Sequence, residues 1–196
     1  LANATAGFRY EKNNRYGAAF VPRIAVTKKI ENFHFKVLYS QAFRAPSLQN
    51  INLALNGHIK PEKSDVLEVE VGYQFTPQML LALNAFSITT RDVMIYGSTG
   101  EGETFVEWYE NYARSGSNGL EVVYGIRGKH WYGNFTYSFS TAGKNTVDTY
   151  EVPGHSQYVG FAKNKLTLNT NFRLLQDLTF NPTFIYASRR FAYTSI

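Results

Sequence analysis

The sequence predicts an all-β fold, an antiparallel up-and-down β-barrel that crosses a membrane with its strands. Apolar and polar residues alternate with period two over long stretches, and helical spacing appears nowhere with comparable strength. Short and long connections take turns along the chain, as they do in outer-membrane barrels with tight turns at one rim and loops at the other. Composition agrees: 16% of the residues are aromatic against 18% charged, a balance suited to extended strands with aromatic rims.

The same composition excludes several classes. With no cysteine there is neither a disulfide framework nor a thiolate metal site. The formal charge of +5 is spread among strands and turns, so no nucleic-acid partner is expected. No stretch reaches the roughly 18 consecutive apolar residues of a membrane helix. The opening "LANATAGFRY" lacks the basic and apolar regions of a signal peptide. A membrane crossing must therefore be made by strands.

The elements follow in order. A brief connection falls at Lys12 to Arg15, and Pro22 sits in a strand-like run where it forfeits a ladder donor. After the short turn Lys29 to Asn32, Phe33, Phe35, Val37 and Tyr39 alternate with His34, Lys36 and Ser40. That strand stops at Arg44-Ala45-Pro46. The stretch from Ala45 to Lys63 reads as an outer loop, because Pro46 and Pro61 bias Ala45 and Lys60 away from helix. Within it "LALNG" is predicted to turn over the lumen, and Leu48, Ile51, Leu53 and Leu55 to pack on neighbouring loops or meet ligand.

Alternation is clearest at Leu67, Val69, Val71, Tyr73 and Phe75, set against Glu68, Glu70, Gly72 and Gln74. Beyond the turn at Thr76 to Gln78, a longer connection is expected at Gly97 to Thr104. Phe105 to Ile126 then reads as one long strand, with Leu120, Val122, Tyr124 and Ile126 against Glu121, Gly125 and Arg127. A short turn spans Arg127 to His130. Trp131, Phe135, Tyr137 and Phe139 next alternate with Asn134, Thr136, Ser138 and Ser140. A third long connection, Gly143 to Ser156, precedes Leu166, Leu168, Phe172 and Leu174 against Thr167, Asn169, Asn171 and Arg173. The last turn is at Gln176-Asp177, and Pro182 interrupts the run after it.

The count is about nine strands, an odd number where bacterial single-chain barrels close with an even one. On this reading the chain is part of a larger barrel with two open edges. Small side chains on the polar faces, among them Gly72, Gly133, Ser138, Ser140 and Asn169, also favour a wide lumen. If "RSGSNG" is instead a turn, the count is even. A self-contained small barrel, a passive porin or an outer-membrane hydrolase, then remains open, as does a soluble β-rich binding domain.

The corner Phe43-Arg44-Ala45-Pro46 and the later "NGHIKPEKSDVLEVEVGYQF" resemble the barrel of TonB-dependent outer-membrane receptors. In that family a Phe-Arg-Ala-Pro corner ends one strand and an Asn-Pro-x-Leu-Lys-Pro-Glu element opens the next. Asn56, Ile59, Lys60, Pro61 and Glu62 follow that element, whereas Gly57 replaces its proline. "NAFSITTRDVMI", "YENYARSGSNGLEV" and "NKLTLNTNFRLL" extend the resemblance over most of the chain. It implies a bacterial outer-membrane barrel of about 22 strands around a plug. Residues 1–196 are then expected to be a fragment of that single barrel domain, without plug or final strand. It further implies active transport of a ferric siderophore or similar scarce nutrient. The implied partners are outer-membrane lipid, the small-molecule ligand and TonB, the last reached through the missing plug.

Candidate ligand contacts fall in the predicted outer loops. His58 and His155 carry imidazoles able to ligate haem iron or another transition metal. Some haem-uptake members use a loop histidine near the Phe-Arg-Ala-Pro corner, although His58 lies inside the Lys-Pro-Glu element, and solvated loop histidines are commoner than ligands. Tyr96, Trp108, Tyr109, Tyr112, Arg189 and Arg190 suit an anionic, aromatic iron chelate through cation and stacking contacts. They equally suit the interfacial girdle of any such barrel, which is the preferred reading. Phe43, Arg44, Ala45, Pro46, Lys60, Pro61 and Glu62 read as structural. No resident metal or cofactor is expected, haem or a ferric chelate being cargo. Nor is an enzyme: Asp92, Asp148 and His155 have no spacing that compels a catalytic group, and no Gly-x-Ser-x-Gly elbow is present.

Overall fold

The computed structural model describes residues 2–143 and 151–192. In chain order its strands are β1 (Ala2–Asn13), β2 (Gly17–Ile30), β3 (Phe33–Arg44), β4 (Glu62–Thr76), β5 (Met79–Thr99), β6 (Val106–Arg127), β7 (Trp131–Ala142), β8 (Glu151–Val152), β9 (Gln157–Tyr158), β10 (Asn164–Arg173), β11 (Thr179–Phe180) and β12 (Thr183–Ala187). One antiparallel sheet runs β1 to β7 and then β10, while β8 and β9 form a separate hairpin. Both β11 and β12 pair with β10 in one continuous register, from Phe172↔Phe180 to Lys165↔Ala187. They are a single crossing broken at Asn181-Pro182, where the proline has no N–H to donate. Pro182 still serves the ladder as an acceptor, its carbonyl taking the Thr170 N–H at 3.1 Å. The described residues thus make the nine crossings that the alternation predicts, and β6 is one unbroken strand.

Two details differ from expectation. β5 continues to Thr99 instead of ending near Gly97, because the Trp108 indole lies flat over Gly97, where a Cβ would come within 2.5 Å of it. In the loop after β3, Ser47 caps a short helix α1 (Leu48–Asn52) through a reciprocal pair of bonds with Asn50, which the turn residues alone did not suggest. Pro22 leaves β2 intact. It does end the β2–β3 ladder, whose last pair is Arg23↔Ser40.

Register assigns every side chain to a face. Phe35, Val71, Leu83, Val122 and Tyr137 form one row across β3 to β7, and Phe33, Tyr73, Leu81, Tyr124 and Phe135 the row beneath it. These residues face outward, with Val71 38% and Leu83 44% exposed, as expected where lipid completes the packing. On the opposite face Lys36, Glu70, Asn84, Glu121, Ser138 and Lys165 lie in register. Lys36 Nζ reaches Glu70 at 3.2 Å and Glu68 at 3.5 Å, and His34 Nε2 meets Glu70 at 3.1 Å. Such a hydrated, charge-paired face belongs to a lumen.

Among the described residues no helix is long and apolar enough to cross a membrane, so the crossings are strands. Tight turns join β2–β3, β4–β5 and β6–β7 at one rim. At the other rim β5 and β6 run on as a long arm, from Val93↔Tyr112 to Thr99↔Val106. What little conventional core exists lies there, where Ile59, Met94 and Ile95 are buried.

Candidate functional site

The loop between β3 and β4 is tied down at its base. Arg44 forks onto Glu62, with Nε to Oε2 at 2.7 Å and a second nitrogen to Oε1 at 2.6 Å. Glu62 Oε1 also accepts the Met94 N–H at 2.8 Å, so this carboxylate joins β3, β4 and β5. Asn111 makes the second tie: its Oδ1 accepts the Lys60 N–H at 2.7 Å, and its Nδ2 donates to the carbonyls of Lys60 at 3.0 Å and Asp92 at 2.7 Å. The Asp92 carbonyl is available because Asp92 adopts φ 53°, which interrupts the alternation of β5 and buries Met94 and Ile95 in succession. Pro46 and Pro61 are buried, while Ala45 and Lys60 are exposed. The Arg9 guanidinium stands 4.9 Å over the Phe43 ring.

From this base the loop reaches the far edge of β6. Tyr109 donates its N–H to the Leu53 carbonyl at 2.8 Å and accepts the Leu55 N–H at 2.9 Å. Those bonds cover an edge that β7 leaves bare, since the β6–β7 ladder ends at Ser117↔Ala142. Closer in, the Tyr158 hydroxyl covers the same edge, bonding Gly116 N at 3.0 Å and Ser115 Oγ at 2.9 Å.

The predicted contact residues are only partly brought together. Tyr96 and Tyr109 are directly paired, their rings 5.5 Å apart and 61° inclined. By strand parity they share the lumenal side with Glu121. Tyr96 donates to Glu107 at 3.1 Å, and burial together with that bond raises its phenol above the ordinary value. It is a protonated donor at neutral pH, not a phenolate iron ligand. Trp108 lies on the opposite side of the arm over Gly97, its Nε1 donating to Glu110 at 3.1 Å, and Tyr112 shares that parity. His58 and His155 are exposed on different loops, His155 packed 4.8 Å from the Phe191 ring. Arg189 and Arg190 are exposed at the end of β12, where the Arg189 carbonyl accepts from Gln157 at 2.8 Å. Among the described residues no cluster of His, Cys, Asp or Glu is placed to hold a metal. Asp148 lies outside the described residues, as does the stretch 144–150 of the third predicted loop.

Glu62 was flagged by its motif, but Asn111, Asp92 and Gln157 were not. Asn111 reads as one more polar residue of an alternating strand. Only the consecutive apolar pair Met94-Ile95, just after Asp92, marks the place where alternation fails.

The family model described as TonB dependent receptor-like, beta-barrel, matches residues 2–195. The chain belongs to the TonB-dependent receptor family. Its place is therefore the bacterial outer membrane. No curated protein matches the sequence. Among solved structures, the siderophore receptor PirA from Acinetobacter baumannii matches at 18% identity and TM-score 0.73, covering 97% of this chain and 32% of that one. A mutant of the ferric enterobactin receptor PfeA from Pseudomonas aeruginosa, in complex with enterobactin, matches at 17% identity and TM-score 0.76, covering 95% and 30%. The alcaligin outer-membrane receptor FauA from Bordetella pertussis matches at 14% identity and TM-score 0.66, covering 96% and 35%. The TonB-dependent barrel seen here thus spans about a third of the length of those receptors.

Proposed function

We propose that the whole protein is an active transporter of a ferric siderophore. Outer loops capture the chelate, and a plug within the lumen rearranges when TonB transmits the inner-membrane proton gradient. The residues described here supply wall and rim. The observation that carries the ligand class is the Tyr96–Tyr109 pair, held on the lumenal side of the arm by bonds from the loop 45–61. Edge-inclined rings offer stacking area to an aromatic chelate at little entropic cost. Arg189 and Arg190 at the same rim supply cations for its negative charge. Siderophore receptors with this barrel lend further support.

The test is uptake of ferric catecholates by cells making the full-length protein, with and without TonB. TonB-dependent uptake, reduced by Tyr109→Ala and by the double change Arg189→Ala, Arg190→Ala, is the expected result. Uptake indifferent to TonB points to a passive pore. TonB-dependent uptake of other cargo with none of ferric catecholates overturns the ligand class alone.

A further inference from the structure

The outward face carries a row of cations directly above the apolar belt. Lys63 on β4 is opposite Arg91 on β5, and Arg91 is opposite Arg114 on β6, with Phe43 of β3 completing the row beside Lys63. All have the parity of Leu67, Val69 and Val71, so they point away from the lumen. Like charges at directly opposed positions of a sheet repel, and a fold tolerates them where an anion lies against them. Arg91 is fixed in place by Asp65, which also accepts from Tyr39 at 2.9 Å and Gln41 at 2.6 Å. With its side chain 52% exposed, Arg91 is held from one side only and keeps donors for an outside acceptor. Lys63 enters no salt bridge among the described residues.

Position identifies the occupant. Lys63 stands four residues beyond Leu67, about 13 Å along the strand and roughly 9 Å along the membrane normal at the usual tilt. That is the headgroup layer, which adds about 5–8 Å outside each face of the hydrocarbon core, within the reach of long cationic side chains. We propose that Lys63, Arg91 and Arg114 form a binding site for the phosphorylated headgroup of an outer-leaflet lipid, whose acyl chains lie on Phe43, Leu67 and Val69. A soluble anion would gain nothing from that apolar floor. The site rests on the membrane placement of the barrel and is independent of the cargo transported.

The experiment uses the full-length protein in neutral detergent, titrated with diphosphorylated lipid A, with the same lipid stripped of phosphate, and with inorganic phosphate. Bound lipid is read by native mass spectrometry and by the melting of the barrel. Wild type should bind and be stabilised by the phosphorylated lipid only. Each cation removed should weaken binding about fivefold, and Lys63→Gln, Arg91→Gln and Arg114→Gln together on the order of a hundredfold. Lys63→Gln alone decides the matter if the triple variant does not fold, because Lys63 holds no ion pair in the described fold. Equal binding of the dephosphorylated lipid overturns the proposal, as does equal stabilisation by inorganic phosphate. So does unchanged lipid affinity in the variants.

Discussion

Glu62 shows how much a single side chain at the loop base can hold. It is 12% exposed and accepts from Arg44 and from the Met94 N–H, whereas Arg44 is 63% exposed. Glu62→Ala strands a buried donor and should cost about 2 kcal/mol of local stability, while Arg44→Ala, mostly a solvated loss, should cost under about 1 kcal/mol. Amide exchange at Met94 in the full-length protein measures both, and equal acceleration would show that the ion pair, not the backbone bond, is what matters. A second site is steric. The His34 ring lies over Gly72, so a Cβ there would fall 1.7 Å from Cε1. Gly72→Ala must drive the ring off Glu70 and should destabilise the barrel by about 1–3 kcal/mol, with His34→Ala restoring much of it in the double variant. Additive losses in that cycle would refute the contact. The motif in the sequence flagged Glu62, but nothing there flagged the His34–Gly72 stacking, since it depends on which residues the register sets opposite one another.

At the level of elements, the strands were legible and the loops were not, for one physical reason. A strand that faces lipid on one side must alternate, so Leu67 to Phe75 announces itself. A loop is held by individual bonds that leave no period. α1 depends on the Ser47–Asn50 exchange, and the loop's reach to Tyr109 depends on two backbone bonds. Asn111 is the element-level pivot, because it ties the loop after β3 to the arm of β5 and β6 through three bonds. Asn111→Ala should release the loop 45–61 to proteolysis and weaken chelate binding about tenfold or more, with barrel melting unchanged. If melting falls in parallel with binding, Asn111 supports the wall and not the loop. Contact residues were named correctly as types, yet Trp108 and Tyr109 are neighbours in sequence on opposite sides of the arm. Which one meets the lumen follows from parity counted from Glu121, and that count holds because β6 is unbroken from Val106 to Arg127.

For the molecule as a whole, the orientation of the wall is the premise under both the transport reading and the lipid site, and β6 offers a matched test of it. Val122 and Val123 are adjacent and chemically identical, and register sends them to opposite faces. Val122 stands in the row of Val71 and Leu83, the middle of five outward rows from Met79–Ile126 to Ser87–Asn118. Val123 stands in the row of Gly72 and Ala82 on the lumenal side. A lysine at the lipid midplane costs about 2–4 kcal/mol, whereas a lumenal one can stay hydrated or pair with residues such as Glu121. Val122→Lys should therefore lower the folded fraction of the full-length protein in lipid vesicles by one to three orders of magnitude in equilibrium constant, on the order of the midplane penalty. Val123→Lys should change it several-fold at most. In neutral detergent, whose shell deforms around a charge more readily than a bilayer does, the gap between the two variants should narrow. A larger penalty for Val123→Lys in vesicles would turn the wall inside out, and the lumenal Tyr96–Tyr109 pair and the lipid-facing cations would then have to exchange roles.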